Sequence, residues 1–124
     1  MTMKNKSNNT DKVVVKNGLK MPAWLVIPRN VESKDWLGSG WTQHLVPDYI
    51  CGISMKKAGY IHDKMFEAQY PFAICNKVFL YNMKYLISQD KNLIFRTTAL
   101  SICRLYYWGV KYKGKKYYDK CKKV

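Results

Sequence analysis

The sequence contains little negative charge, only two histidines and no long hydrophobic run. Eight acidic residues stand against 22 lysines and arginines, which gives a formal net charge of +14. A chain with this balance favours polyanionic partners such as nucleic acid, an anionic membrane surface, a teichoic-type polymer or an acidic protein. Because no apolar run has the length of a spanning helix, we expect a soluble or peripheral protein.

The cysteines lack the spacing of a metal site. Cys51, Cys75, Cys103 and Cys121 form no CxxC pair and no Cys/His ligand pattern, which argues against a zinc site. We expect buried free thiols, as in a protein assembled in a reducing interior. The N-terminal stretch MTMKNKSNNTDK has no apolar core of the kind that a secretory signal needs, so no export peptide is predicted.

The chain has the length of one domain. We expect a disordered arm over residues 1–12, a single domain over residues 13–114 and a basic tail over residues 115–124. The domain begins with a short β or extended portion, in which Val13–Val15 and Ala23–Ile27 flank the turn signal Asn17-Gly18. A glycine-containing loop follows over residues 35–52.

Apolar residues then recur with helical spacing and predict a mainly α fold. We expect a helix from Ser54 onward, a second over residues 72–88 and a third over residues 93–113. The apolar arc of the first helix contains Met55, Ala58, Ile61, His62, Met65 and Phe66. The third helix is predicted to bury Phe95, Ala99, Ile102, Cys103, Tyr106 and Val110.

Two polar residues lie on these apolar faces, His62 on the first helix and Asn76 on the second. If the two helices pack as antiparallel neighbours, a His62–Asn76 hydrogen bond satisfies both groups. Such a bond would fix the imidazole tautomer and leave the other nitrogen to act as a general base. Asp63 would then face the glycine-containing loop, where a carboxylate and backbone carbonyls can hold calcium. The alternative is that His62 is a satisfied core residue.

The order of these motifs resembles the phospholipase A2 superfamily. The series runs from the glycine-containing loop through AGYIHDKMF and NKVFLYNM to ALSICRLYYWGVKYKG, covering residues 36–114 in pieces. It is most similar to small His-Asp helical proteins of phages and bacteria. The resemblance implies a three-helix phospholipase A2-like core after the short N-terminal β or extended portion. It implies a phage or bacterial source as well.

The resemblance also implies roles for individual residues. His62 would be the base that activates water, and Asp63 would bind calcium with the loop carbonyls of Gly38 and Gly40. Asn76 stands where the enzymes have the Asp that orients the base, and Phe66 stands where they usually have Tyr. A neutral amide cannot stabilise the imidazolium that forms during attack, as for Asp to Asn in a catalytic triad.

Two functions therefore stay open. One is hydrolysis of glycerophospholipid esters at a membrane surface with a His base and calcium. The other is a non-catalytic basic component, structural or virion-associated, that uses the same fold to bind virion proteins, nucleic acid or envelope. We expect such a protein in the host cytoplasm during assembly, and then in the virion or on a membrane surface.

The basic residues near the C-terminus are the candidate anion-binding set: Arg104, Lys111, Lys113, Lys115 and Lys116. They would bind phosphates of lipid headgroups or nucleic acid, although a solvated tail explains them equally well.

Three weaker candidates lie elsewhere in the chain. His44 and His62 could ligate a metal with Asp48 or Asp63, but no pair of these residues has the i, i+4 spacing that preforms a site on a helix. Ser39 lacks the strand-to-helix context of a nucleophile turn. Trp24, Trp36 and Trp41 suit either packing or a lipid interface.

Overall fold

A computed structural model describes residues 12–31, 49–90 and 93–120 of the chain. Within these ranges the protein is mainly helical and begins with a short two-stranded hairpin. The strands are β1 (Val13–Lys16), β2 (Leu19–Pro22), β3 (Tyr49–Ile50) and β4 (Ile53–Ser54). The helices are α1 (Lys56–Glu67), α2 (Phe72–Ser88), α3 (Leu93–Lys113) and α4 (Lys115–Lys120).

The first hairpin is closed by the predicted Asn17-Gly18 turn. Both residues have positive φ angles, 53° and 87°, which is the requirement of a two-residue turn that matches the twist of paired strands. Val13 therefore pairs with Pro22 and Lys16 with Leu19. The second strand is Leu19–Pro22, because a two-residue turn pairs the residues that follow it immediately. No strand covers Ala23–Ile27, where a strand or an extended segment was expected.

The predicted bounds of the second and third helices agree with α2 and α3. The first helix begins at Lys56 rather than Ser54, because Ser54 belongs to β4 and pairs with Tyr49. Pro71 lies directly before α2, where its missing N–H is not needed. Local spacing thus located the start of α1 and both ends of α2 and α3 to within two residues.

Helix α2 is the centre of the domain and packs against α1, α3 and β2. One buried cluster joins the first hairpin and its following loop to α1, α2 and α4, and includes Leu19, Met21, Met65, Phe66, Tyr70 and Tyr118. A second cluster joins α2 to α1 and α3, and includes Ala58, Phe79, Met83, Ala99, Cys103 and Val110. The residues between them, on α1 and α2, include those of the candidate site.

A side chain of α2 holds the first hairpin in place. Asn82 is fully buried. Its Oδ1 accepts from the Lys20 backbone N–H at 2.7 Å, and its Nδ2 donates to the Lys20 carbonyl at 2.8 Å. The amide therefore satisfies both backbone groups of one strand residue, as a neighbouring strand would.

The start of the predicted basic tail is folded. Gly114 separates α3 from α4, and a Cβ there would lie 2.5 Å from the Val110 carbonyl oxygen. Tyr118 of α4 is buried, and its hydroxyl donates to the Tyr70 carbonyl at 2.6 Å. Residues 115–120 of the predicted basic tail thus form a helix, which apolar contact docks on the core. Residues 121–124 lie outside the described ranges, as do residues 1–11 of the predicted arm.

One predicted core position of α3 is exposed. Phe95 has 49% of its surface accessible, whereas Ala99, Cys103 and Val110 are fully buried. Phe95 lies about 40° from Ala99 around the helix axis, at the edge of the buried arc and in the first turn. Periodicity alone did not show that the first turn of α3 extends beyond the core.

Of the three cysteines in the described ranges, none forms a disulfide. Cys75 and Cys103 are buried, as expected, but Cys51 is exposed in the turn between β3 and β4. Among the same residues, no helix is both long enough and apolar enough to cross a bilayer.

Candidate functional site

His62 lies in the middle of α1 and is enclosed by the core. Only 1% of its surface is accessible. Its ring centroid lies 4.3 Å from that of Phe66 and 4.7 Å from that of Phe79. The apolar arc of α1 therefore carries the imidazole into the contact between α1 and α2, between two phenyl rings.

The hydrogen bond predicted between His62 and Asn76 is present. His62 Nε2 and Asn76 Oδ1 are 3.1 Å apart, and both residues are buried. Because an amide oxygen only accepts hydrogen bonds, this geometry assigns the proton to Nε2 and the lone pair to Nδ1. The Nδ1 atom is buried and has no hydrogen-bond partner among the described residues.

Burial makes His62 a weak base. Desolvation lowers the pKa of His62 to about 4, and the hydrogen bond to Asn76 opposes this shift without cancelling it. The imidazole is therefore neutral at pH 7. A general base is most effective when its pKa lies near the working pH, and the partner amide carries no charge that would favour the imidazolium.

Asp63 experiences the opposite shift at the edge of α1. Burial, followed by the nearby Glu67 carboxylate, raises the pKa of Asp63 to about 7, and Lys64 opposes the rise. Lys64 itself pairs with Glu67 at 3.4 Å. Since calcium binds the carboxylate form, a large fraction of Asp63 would have to lose its proton at neutral pH before it could serve as a ligand.

The predicted calcium site is represented in the described ranges by Asp63 alone. Gly38 and Gly40, which the resemblance gives as its loop ligands, lie outside those ranges. Among the described residues no group of three or more His, Cys, Asp or Glu side chains is arranged to hold a metal ion. The calcium site of one carboxylate and loop carbonyls therefore stays a prediction.

Phe66 occupies the position where a Tyr would extend the hydrogen-bond network. Its ring is fully buried and lies 5.9 Å from that of Phe72 and 5.2 Å from that of Tyr118. The surroundings of His62 are thus aromatic on this side, and the site offers apolar packing where the resemblance leads one to expect polar support.

Sequence reasoning missed the residues that lock the link between α1 and α2. Gln69 has a φ of 59°, and its Nε2 donates to the carbonyls of Phe66 and Tyr118. Tyr70 accepts from Tyr118 through its backbone and from Trp24 Nε1, at 2.9 Å, through its hydroxyl. The sequence signal for this network was weak, because its donors come from three separate parts of the chain.

The predicted anion-binding side chains are all exposed. Arg104, Lys111 and Lys113 belong to α3, and Lys115 and Lys116 belong to α4. Lys115 Nζ pairs with Asp119 at 2.8 Å, which partly neutralises it. The remaining cations face solvent on the side of the molecule formed by α3 and α4.

The weaker candidates are mostly not described. His44, Asp48, Ser39, Trp36 and Trp41 lie outside the described ranges. Trp24 lies in the loop after β2, with 47% of its surface accessible, and its indole N–H donates to Tyr70. This placement makes Trp24 a peripheral packing residue.

A cavity of about 490 Å³ lies between the first hairpin and the C-terminal part of α2. Its walls include three cations, Lys16, Arg29 and Lys57, beside apolar side chains such as Leu86. Leu86 is ten residues from Asn76, which corresponds to about 15 Å along the helix. The cavity is therefore separate from His62. His62 is not among the lining residues. Lys16 already donates to the carbonyls of Ala23 and Leu25.

Comparisons of the chain with protein-family models, with curated proteins and with solved structures found no match.

Proposed function

We propose that this chain is a non-catalytic basic component built on a phospholipase A2-like helical core. In this proposal His62 and Asn76 join α1 to α2, and the cationic surface carries the function by binding a polyanion or a partner in a virion, a phage assembly or an envelope. The observation that carries the proposal is the burial of His62, which has 1% of its surface accessible.

The surroundings of His62 support a structural role. A base must reach a water molecule or a substrate proton within hydrogen-bond distance, but Nδ1 is enclosed beside the rings of Phe66 and Phe79. Burial also depresses the pKa of the imidazole. The neutral Asn76 amide satisfies one ring nitrogen without favouring protonation of the other, as suits a core histidine.

A second function, ester hydrolysis, is favoured by one specific observation. The Nε2 bond to Asn76 leaves Nδ1 with the lone pair, which is the state that a base needs to take a proton from water. Calcium, when bound, would supply a positive charge to the carbonyl oxygen of the ester. For this function the packing around Nδ1 would have to open and Asp63 would have to ionise.

Hydrolysis of anionic phospholipid vesicles separates the two functions. The purified protein and an Asn76→Asp variant are incubated with vesicles, with calcium and with a chelator, and released fatty acid is measured. We expect no release from either protein while circular dichroism shows both to be folded. Calcium-dependent release that increases in Asn76→Asp and disappears in a folded His62→Gln variant would overturn the non-catalytic proposal.

Removal of the imidazole tests the structural role directly. We expect His62→Ala to lower the free energy of unfolding by about 2 to 4 kcal/mol, because it leaves a cavity and removes the partner of buried Asn76. The control is Lys77→Ala on α2, at an exposed position, which we expect to change stability by less than about 0.5 kcal/mol, as for surface sites. Denaturant titration of the three proteins gives both values.

A further inference from the structure

The outward face of α3 carries large apolar side chains with no covering element among the described residues. Ile94, Leu105, Trp108 and Tyr112 have 82%, 70%, 53% and 64% of their surfaces accessible. We call these four residues the α3 stripe. Single exposed apolar residues are ordinary, but a row of four on one helix marks an interaction site.

The α3 stripe lies opposite the core. Leu105, Trp108 and Tyr112 are neighbours on this face, and the exposed polar residues Thr97, Thr98 and Ser101 separate them from Ile94. At 100° per residue, its four side chains fall within about 60° of one another. The buried positions Ala99, Cys103 and Val110 lie on the other side of the helix. From Ile94 to Tyr112 the stripe extends for about 27 Å. A helix with one apolar face on the core and another on the outside needs a second surface to cover it.

The charge around the stripe has one sign. Helix α3 contains no acidic residue, and residues 93–120 contain seven lysines and arginines and one aspartate, a net charge of +6. Lys111 Nζ lies 5.6 Å from the Trp108 ring centroid and 5.8 Å from that of Tyr112. Arg104, also exposed, lies about 20° from Lys111 around the axis, so two cations line one edge of the stripe.

We propose that the α3 stripe is a membrane-surface site that binds the headgroup region of an anionic bilayer. Ile94, Leu105, Trp108 and Tyr112 would enter the boundary between headgroups and acyl chains, and Arg104 and Lys111 would contact lipid phosphates. An exposed apolar row with aromatic residues and a basic edge is the pattern of a helix that lies in this interface. This inference names a partner for the basic component and rests on that part of the proposed function.

Charge and side-chain chemistry disfavour two other occupants. A second copy of the chain would bring one +6 surface against another, with like charges across the contact. Single-stranded nucleic acid would stack its bases on Trp108 and Tyr112, which lie 5.0 Å apart in a stacked arrangement, but it would gain little from Ile94 and Leu105. A bilayer uses all four side chains and both cations.

The test is binding to sedimented vesicles that contain phosphatidylcholine alone or with phosphatidylglycerol. Its central variant is Ile94→Ser/Leu105→Ser, and the matched control is Val15→Ser/Val26→Ser, which removes two exposed aliphatic side chains from the first hairpin region (57% and 77% accessible). We expect the stripe variant to bind anionic vesicles roughly 10-fold more weakly, as for the loss of two partly inserted side chains. We expect the control to change binding by less than about twofold.

Two further readouts locate the contact. Arg104→Gln/Lys111→Gln should weaken binding to anionic vesicles by roughly 30-fold, at about 1 kcal/mol per charge, and leave binding to phosphatidylcholine unchanged. Lipids with brominated acyl chains quench indoles that enter the interface. They should quench the wild-type fluorescence, and the quenching should fall in Trp108→Phe.

Several outcomes would overturn the membrane site. These are absence of binding to anionic vesicles, equal losses in the stripe and control variants, and a wild-type dimer that dissociates in the stripe variant. The membrane site would also be overturned if the stripe variant lost binding to a single-stranded oligonucleotide but bound vesicles as strongly as the wild type. The hydrolysis assay is independent of this test: failure to bind vesicles leaves a non-catalytic role intact, whereas binding accompanied by hydrolysis overturns that role and keeps the membrane site.

Discussion

His62 and Asp63 are adjacent in the sequence, but their environments differ. His62 points into the core, where burial lowers its pKa, and Asp63 lies at the helix edge, where burial and Glu67 raise its pKa. Both shifts favour the neutral form near pH 7. In a working acid–base and metal pair, one would expect the opposite shifts: a more basic imidazole and a more acidic carboxyl group.

The effect of His62 on stability should depend on pH with a defined sign. Its pKa is about 4 in the folded state and 6.5 in an ordinary environment. As the pH falls below 6.5, the unfolded chain binds a proton that the folded chain does not bind until about pH 4. The contribution of neutral His62 is therefore fully present above pH 6.5 and is lost as the pH falls towards 4, with a total of about 3 kcal/mol.

Asp63 obscures this slope, because its raised pKa has the opposite effect: protonation of the folded state below about pH 7 increases stability. The measurement therefore compares Asp63→Asn with Asp63→Asn/His62→Gln by denaturant titration between pH 8 and pH 4. We expect the stability difference to change in favour of His62→Gln as the pH falls. A difference that is constant with pH would show that the histidine is not held neutral by burial.

At the scale of secondary-structure elements, the terminal parts of the domain are attached by a few polar contacts. The first hairpin is held to α2 by Asn82, and α4 is held to the link between α1 and α2 by Tyr118. Each contact joins a side chain of one element to backbone groups of another. These two contacts fix the first hairpin and α4 against the core that contains His62.

We expect Tyr118→Phe to lower the free energy of unfolding by about 1 to 2 kcal/mol. The substitution keeps the ring contacts with Phe66 and Phe72 but removes the hydroxyl that donates to the Tyr70 carbonyl at 2.6 Å. The matched control is Tyr112→Phe, because Tyr112 is exposed on α3, and its effect should stay within about 0.5 kcal/mol. Equal effects of the two substitutions would contradict the docking of α4.

The docking of α4 also changes how the basic C-terminal segment should be tested. Truncation after Gly114 would remove Tyr118 from the core along with the lysines, so a loss of polyanion binding would not identify the lysines as the cause. Substitution of Lys116 and Lys120 by Gln changes the charge alone, because both side chains are exposed.

At the scale of the whole molecule, the charge of +14 opposes compaction. The described ranges contain two side-chain ion pairs, Lys64–Glu67 and Lys115–Asp119, and both join residues three or four apart. Such pairs relieve local charge and leave the long-range repulsion between α3, α4 and the rest of the domain. Repulsion of this kind is screened by salt.

We therefore expect the thermal midpoint to rise by a few degrees when sodium chloride is increased from low to physiological concentration. The physical reason is screening of like charges that lie closer together in the folded chain than in the unfolded chain. Scanning calorimetry at several salt concentrations measures the shift. A midpoint that falls with salt would indicate that ion pairs outweigh repulsion. Lys116→Gln/Lys120→Gln should reduce the dependence on salt.

Local patterns in the sequence determined the elements and part of the site. The Asn17-Gly18 turn and the bounds of α2 and α3 follow from residue spacing, because hydrogen bonds in helices and hairpins join residues that are close in sequence. The contact between His62 and Asn76 was predicted from their positions on the apolar faces of two helices that a short link joins. The net charge, and with it the polyanionic class of partner, is likewise a property of the sequence. It does not depend on the fold.

Only the tertiary structure decided which faces are covered. Spacing placed Phe95 in the core and residues 115–120 in a basic tail, but the structure exposes Phe95 and docks Tyr118 on Tyr70. It also encloses His62 between two phenyl rings and leaves the α3 stripe without a covering element among the described residues. Burial depends on what packs against a face, and that packing comes from residues far away in the sequence. The environments of His62 and of α3, which carry the two proposals, are therefore products of the fold.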